Sequence, residues 1–282
     1  MGEFCISLCV GGGVGGNAPQ NTNKPRSARN AVFAVTYFIF LTAMTAGVAQ
    51  ILGLWAAAAS LLFCIAVVCV GFDRMITVNK YLTLFIVTFL VVVCCMNLGG
   101  AVGIYNPKVS QAFSSLPRTF LMSALYSAMN CCMLVAVIAK MRTTKIRGDI
   151  MWAGALAACI IFLLVTLVFT AIRDHMMEAM PILALCDNVL TKITLLAAIV
   201  SSQYVALFNV AELTGINKTK PRKKPLALAA VCATAFATSL IGFSKVLGVF
   251  YPVVGFCMVV YIILICLISL RRRCVCRRNR AR

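Results

Sequence analysis

Two clusters of polar side chains interrupt long apolar segments of the chain, and they are the residues best suited to binding chemistry. The first lies in the run ALYSAMN, where Tyr126, Ser127 and Asn130 stand among apolar neighbours. The second is the run of consecutive polar residues Ser201, Ser202 and Gln203, of which the two serines are the candidate ion-binding pair. Hydroxyl and amide groups can hydrogen-bond a polar ligand or offer oxygen atoms to a cation. Within hydrocarbon such groups are costly unless partnered, so both clusters are candidate binding positions.

Both clusters also have a structural interpretation. Serines in membrane helices commonly form the hydrogen bonds that pack one helix on another, and the sequence leaves this alternative open for Ser201 and Ser202. For Asn130, the cost of burial favours a break in its helix or a cavity beside it. No acidic residue lies near the middle of any apolar run, which removes the usual sign of a proton relay. Hydroxyls and backbone carbonyls would therefore have to hold any transported ion.

Enzymatic and metal chemistry find little support in the sequence. His175 and Glu178 are three residues apart and could share a helix face, but His175 is the only histidine and nothing nearby completes a tetrahedral metal shell. No nucleophile, base and orienting group occur together. We therefore expect no catalytic residue, no bound metal and no organic cofactor.

The composition is that of a membrane protein. Hydrophobic residues make up 62% of the chain and charged residues only 12%, with a mean hydropathy of +0.98, against about 45–50% and about 25% in soluble domains. The net charge of +19 would suggest nucleic acid if it formed a surface stripe. The cations are instead confined to short segments between apolar runs, so we expect a lipid bilayer as partner and no nucleic acid.

Eight apolar runs approach the roughly 20 residues that a helix needs to cross a hydrocarbon core about 30 Å thick. The predicted fold is therefore an all-α, polytopic transmembrane bundle, with a flexible cytoplasmic tail over residues 1–30, an external lid at about 173–189 and a basic cytoplasmic tail at 271–282. The predicted spans are 31–50, 54–71, 81–98, 119–139, 150–170, 193–211, 226–244 and 246–270.

The positions of Lys and Arg predict the orientation, because cytoplasmic segments carry the excess of these residues. Most of the 26 basic residues lie in segments that fall on one side if the spans alternate: 24–29, 74–80, 140–147, 218–224 and 271–282. The other side has only Lys108, Arg118, Arg173, Lys192 and Lys245. This split supports both the number of spans and the placement of both termini in the cytoplasm.

Four segments together resemble the YkvI-type bacterial membrane proteins, a branch of the amino acid–polyamine–organocation superfamily with the LeuT-like inverted-repeat fold. These segments are YFIFLTAMTAGVAQILG at 37–53, ALYSAMN at 124–130, EAMPILALCDNVLTKITLLAAIVSS at 178–202 and GFSKVLGVFYPVVGF at 242–256. Their order and spacing agree with the family over residues 31–270.

The resemblance implies a partial LeuT-like fold. That fold has ten core helices in two inverted repeats, and the eight predicted here match the third to the tenth. The first two have no counterpart, which leaves open a truncated gene model, a split gene or a degenerate paralogue. The resemblance also implies that Tyr126, Ser127 and Asn130 contact the substrate, and that Ser201 and Ser202 form half of an ion site.

The expected function is therefore secondary transport of a small organic solute of the amino acid or amine class. Alternating access would be coupled to Na⁺ or H⁺, and the protein would lie in the plasma membrane. The alternative, from a different class, is a non-transporting scaffold or partner subunit whose basic tail binds anionic lipids. A truncated transporter relic is a further alternative. The sequence does not fix the solute, the direction of transport or the oligomeric state.

Overall fold

The computed structural model describes residues 23–97, 120–121, 123–125, 127–128, 149–172, 181–185 and 188–280. Within these ranges the chain is helical and contains no strand. The elements in chain order are α1 (Asn23–Leu52), α2 (Leu54–Val70), α3 (Phe72–Asn97), α4 (Asp149–Ala171), α5 (Pro181–Leu185), α6 (Val189–Thr214), a 3₁₀ turn (Ile216–Lys218), α7 (Lys224–Ser239) and α8 (Phe243–Arg280).

Five of the described helices are long and apolar enough to cross a membrane. They are α3, α6 and the sections Asn30–Leu52, Gly154–Ala171 and Phe243–Leu264. The helices α2 and α7 are shorter, with 17 and 16 residues, which makes each about 25 Å long at 1.5 Å per residue. The all-helical class is confirmed. The predicted span at 119–139 lies mostly outside the described residues, so the number of eight spans stays a prediction.

Several helices extend beyond the apolar runs that predicted them. The helix α1 begins at Asn23, within the predicted N-terminal tail, and α3 begins at Phe72, within the predicted loop before residue 81. The helix α8 continues through the basic segment to Arg280. Hydropathy marks the part of a helix that suits hydrocarbon, whereas a helix can continue into water with polar residues. The predicted lid is described only in part, as α5 beside α6.

The helix α1 packs along α6 in the antiparallel direction, and this is the most extensive helix pair among the described residues. Thr45 of α1 lies beside Gln203, and Phe33 shares a hydrophobic cluster with Val210. As the residue number rises along α1, the number of the neighbouring residue in α6 falls, so the two helices run in opposite directions. The helices α2 and α7 are antiparallel to α1 and α6, respectively, so the core alternates in direction.

The core consists of two three-helix units, which we name unit A (α1, α2 and α3) and unit B (α6, α7 and α8). Each unit has a long, a short and a long helix. A glycine with positive φ stands at every junction, and only glycine adopts this backbone conformation without strain. The φ values are +90° at Gly53 and +113° at Gly71 in unit A, and +79° at Gly215 and +99° at Gly242 in unit B.

The contacts between the two units are matched. The first helices, α1 and α6, pack on each other, as do the short helices α2 and α7. The helix α1 also contacts α7 and α8, and α6 makes the equivalent contacts with α2 and α3. Because α1 and α6 run in opposite directions, unit B has the reverse orientation of unit A. The helix α4 lies outside both units and packs on α3.

These helix directions gather the described basic segments at one end of the bundle, which we call the basic end. It contains the start of α1, the start of α3, the α6–α7 junction and the end of α8. There the Nζ of Lys224 donates a hydrogen bond of 3.0 Å to the carbonyl oxygen of Val68 at the end of α2. A cation in this position also interacts favourably with the α2 dipole.

One close contact on α8 gives a direct test of the packing. A Cβ atom added at Gly255 would lie 2.9 Å from Leu125 Cβ and 3.0 Å from the Leu125 carbonyl oxygen. We expect Gly255→Ala to lower the free energy of unfolding by about 1–3 kcal/mol, because the backbone of Leu125 has to move away. Thermal unfolding of the full chain in detergent measures the change.

The matched control is Gly248→Ala on the same helix, where an added Cβ meets no atom within 4 Å. This variant should be neutral or more stable by up to about 1 kcal/mol, because alanine favours the helix over glycine. Equal destabilisation by both substitutions would contradict the described approach of Leu125 to Gly255.

Candidate site in the helix core

Gln203 is the centre of a buried polar cluster that joins α1, α2 and α6. Its side chain is fully buried near the middle of α6. The Nε2 donates a hydrogen bond of 3.2 Å to Thr45 Oγ1, and Oε1 accepts a longer one, 3.9 Å, from the Cys64 thiol. Thr45 in turn donates to the Leu41 carbonyl oxygen at 2.8 Å. We name Thr45, Cys64 and Gln203 the core polar cluster.

The core polar cluster lies where unit A meets unit B, because Thr45 and Cys64 belong to the first unit and Gln203 to the second. Small residues of α1 around it are buried, including Ala46 and Gly47, which lets the two helix backbones approach closely. A polar group without a partner in this position would be costly. The hydrogen bonds therefore fix the register of α1 on α6 as well as satisfying Gln203.

Two further hydrogen bonds between side chains tie neighbouring helices to this core. The hydroxyl of Tyr204, which is also fully buried, donates to Asn79 Oδ1 of α3 at 2.7 Å. The hydroxyls of Thr42 and Thr238 lie 3.1 Å apart and join α1 to α7. Hydrogen bonds thus link α6 to α1 and α3, and α1 to α7.

Ser201 and Ser202, the predicted ion-binding pair, lie immediately before Gln203 and are half-buried. Both hydroxyls donate to the same carbonyl oxygen, that of Ala198, at 2.8 Å for Ser201 and 3.1 Å for Ser202. Each hydroxyl proton is therefore held within α6. Each oxygen keeps lone pairs that could accept a hydrogen bond or contact a cation. The assignment of an ion to this pair stays a prediction.

Of the predicted substrate residues, the structure describes only Ser127. It is helical and exposed, and the next residue, Ala128, packs in the cluster that contains Phe33, Tyr37 and Met258. Tyr126 and Asn130 lie outside the described residues. Among the described side chains, no hydrogen bond joins Ser127 to Ser201 or Ser202. A shared site for the predicted substrate and ion residues therefore stays a prediction.

Sequence reasoning missed the cross-helix partners of Gln203. The signal for α1 was present in the repeated threonines of its apolar run, at positions 36, 42 and 45, all of which are buried. They were hidden because threonine hydroxyls usually bond to their own helix, as these three also do. A threonine hydroxyl that bonds to a carbonyl oxygen three or four residues earlier in its own helix gives no indication of which other helix it contacts.

Comparison with protein-family models, curated proteins and solved structures gives no match for this chain.

The core polar cluster generates a double-mutant prediction. We expect Gln203→Leu and Thr45→Val, alone and together, to show a coupling free energy of about 0.6 kcal/mol, and no more than about 1.7 kcal/mol, as measured for other hydrogen bonds between membrane helices. The measurement is equilibrium unfolding of the four chains in mixed micelles. The near-isosteric replacements keep the packing volume.

The control cycle pairs Gln203→Leu with Thr234→Val. Thr234 is exposed on α7, and its hydroxyl bonds only to α7 carbonyl oxygens in the described structure. Its coupling to Gln203 should be zero within error. If the two cycles gave the same coupling, the hydrogen bond between Thr45 and Gln203 would not hold in the folded protein.

Proposed function

We propose that this chain is an integral membrane protein of the secondary-transporter type, built on an inverted repeat. The observation that carries the proposal is the pair of oppositely directed units A and B. They share the long–short–long helix pattern, the positive-φ glycine at each junction and the matched contacts. Inverted repeats related by an axis in the membrane plane are a recurrent architecture of secondary transporters.

The location of the buried polar groups supports the same proposal. Substrates and coupling ions of inverted-repeat transporters bind near the bilayer midplane, at the interface between the repeats. The core polar cluster lies at the interface between units A and B, and Gln203 is close to the middle of α6. Ser201 and Ser202 precede it in the same helix. We assign the serine pair to a coupling ion, with Na⁺ or H⁺ as the ion.

The arrangement of the units also supports the LeuT-like assignment and the YkvI-type family. In that assignment, α1 to α3 correspond to the third to fifth core helices and α6 to α8 to the eighth to tenth. The substrate is a small organic solute of the amino acid or amine class, contacted by Tyr126, Ser127 and Asn130. Alternating access would move one set of helices against the packed core, with the basic end facing the cytoplasm of a plasma membrane.

A non-transporting scaffold or partner subunit is the second candidate, and one observation favours it. The helix α4 packs on α3 but leaves most of its apolar surface exposed, including Trp152, Leu156 and Phe162. Such a surface could face another membrane protein as well as lipid. In this role the cations at the basic end would bind anionic lipids.

Uptake by the reconstituted full chain separates the two candidates. We expect proteoliposomes to accumulate at least one radiolabelled solute from a panel of amino acids and amines when an inward Na⁺ or H⁺ gradient is imposed. If the gradient is Na⁺, the double variant Ser201→Ala/Ser202→Ala should raise the half-saturating Na⁺ concentration by at least about tenfold, because each contact to a charged group contributes about 1.5–3 kcal/mol.

The matched control is Thr166→Ala on α4. That exposed hydroxyl also donates to a carbonyl oxygen of its own helix, Phe162, at 2.9 Å, and its loss should leave the Na⁺ dependence unchanged. If neither variant changes the half-saturating Na⁺ concentration, the serine pair is not part of the ion site. No uptake of any solute, by protein whose helix content is native, would contradict transport and favour the scaffold.

A further inference from the structure

An apolar cavity of about 80 Å³ lies between α3, α5 and α6. It is partly enclosed and is lined mainly by hydrophobic side chains. These include Phe89, Leu90 and Val93 of α3, Ile182 of α5, and Leu195 and Ala198 of α6. Neither the serine pair nor Gln203 is part of its lining.

The two polar residues in the lining do not make the cavity polar. The hydroxyl of Thr191 donates to Asn188 Oδ1 at 2.9 Å, and that of Thr194 donates to the Leu190 carbonyl oxygen at 2.9 Å. Both hydroxyl protons are therefore used within the protein. An apolar cavity of this kind stays dry and takes apolar ligands. Its occupant must therefore be a hydrocarbon group.

Size narrows the choice of occupant. The cavity has about half the volume of the engineered 150 Å³ cavity that admits benzene. An aromatic ring would not fit without rearrangement, whereas an alkyl chain is slimmer than a ring and can enter with one part while the rest remains outside. The partly open form of the cavity suits such an occupant, because the rest of the molecule does not have to be enclosed.

The position of the cavity identifies the source of the alkyl chain. Thr191 to Ala198 lie about 3 to 14 Å below the start of α6, at 1.5 Å per residue. This is the end opposite the basic end, and α3 and α6 are both long and apolar enough to span a membrane. Neighbouring residues on the same helices, Phe85, Leu190 and Ile193, are exposed. The partly open cavity is thus flanked by exposed apolar side chains on two helices that are suited to cross a membrane.

We propose that this cavity is a binding site for an acyl chain of a membrane phospholipid from the leaflet opposite the basic end. The chain inserts between α3 and α6 beneath α5 and contacts Phe89, Leu195 and Ala198. The site touches the proposed ion site only at Ala198, whose carbonyl oxygen accepts both serine hydroxyls, and the acyl-chain proposal does not rest on transport.

Photolabelling of the full chain in phosphatidylcholine vesicles tests this site. The probe is a phosphatidylcholine with a diazirine on an upper methylene of one acyl chain, and adducts are located by mass spectrometry. We expect adducts per side chain on residues 86–93 and 191–198 to exceed those on exposed apolar residues of α4, such as Leu156 and Phe162, because an acyl chain held between two helices stays beside these residues longer than one that exchanges freely with bulk lipid.

Two variants change the cavity in opposite directions. Ala198→Leu fills it and should reduce labelling there to the level of α4, whereas Phe89→Ala enlarges it and should increase labelling. The control Ala158→Leu adds the same side chain on an exposed part of α4 and should leave cavity labelling unchanged. A general folding defect could not produce both opposite effects.

The proposal is overturned if cavity residues are labelled no more than Leu156 and Phe162, or if Phe89→Ala does not raise the labelling. Uptake measurements bear only on the proposed transport function. Loss of transport with retained labelling, or the reverse, therefore separates the two proposals.

Discussion

The antiparallel packing of α1 on α6 is the contact on which the rest of the structure depends. Thr45 and Gln203 are fully buried in this interface and are hydrogen-bonded to each other. In lipid, apolar surface gives little driving force for helix association, so close packing of small residues and hydrogen bonds must supply it. The small buried residues of α1 and the Thr45–Gln203 bond provide both. The polar contact also selects one register, because a shift would leave the Gln203 amide without a partner.

The other helices of the two units take their positions from this pair. The helix α2 contributes Cys64 to Gln203, while α3 receives the hydrogen bond from Tyr204, and α7 is joined to α1 through the Thr42 and Thr238 hydroxyls. The helix α8 adds aromatic contacts, with Phe33 and Tyr261 edge to face at a centroid distance of 4.9 Å. The contacts that each unit makes with the other are thus matched, with the helix directions reversed. That reversal places the polar groups between the units, where an inverted-repeat transporter would bind its ligand.

Hydropathy predicted much of the fold but not its contacts. The apolar runs located every long described helix, because a segment that crosses hydrocarbon must carry apolar side chains and must satisfy its backbone groups as a helix. The same signal could not predict that α3 begins at Phe72 or α1 at Asn23, since a helix continues into water without apolar residues. The pairing of unit A with unit B was also beyond hydropathy, which records the depth of a residue and not its neighbours.

The sequence likewise located the polar residues of the candidate site but not their contacts. Ser201 and Ser202 stand out as polar residues in an apolar run, and the structure places them half-buried beside Gln203. What the sequence could not give was the hydrogen-bond partner of each group. The serine hydroxyls donate to Ala198 in their own helix, whereas Gln203 reaches across to α1. A longer side chain can cross between helices, but its partner depends on the register that packing selects.

We propose that the oppositely directed apolar helices cross a bilayer with the basic end in the cytoplasm. Fusions of a reporter that is active only in the cytoplasm, made after Asp73, after Thr219, after Gly53 and after Ile241, measure this orientation. We expect activity at Asp73 and Thr219, which lie at the basic end, and none at Gly53 and Ile241, which lie at the other end. Activity at only one of Asp73 and Thr219 would place them on opposite sides of the membrane and contradict the proposed topology.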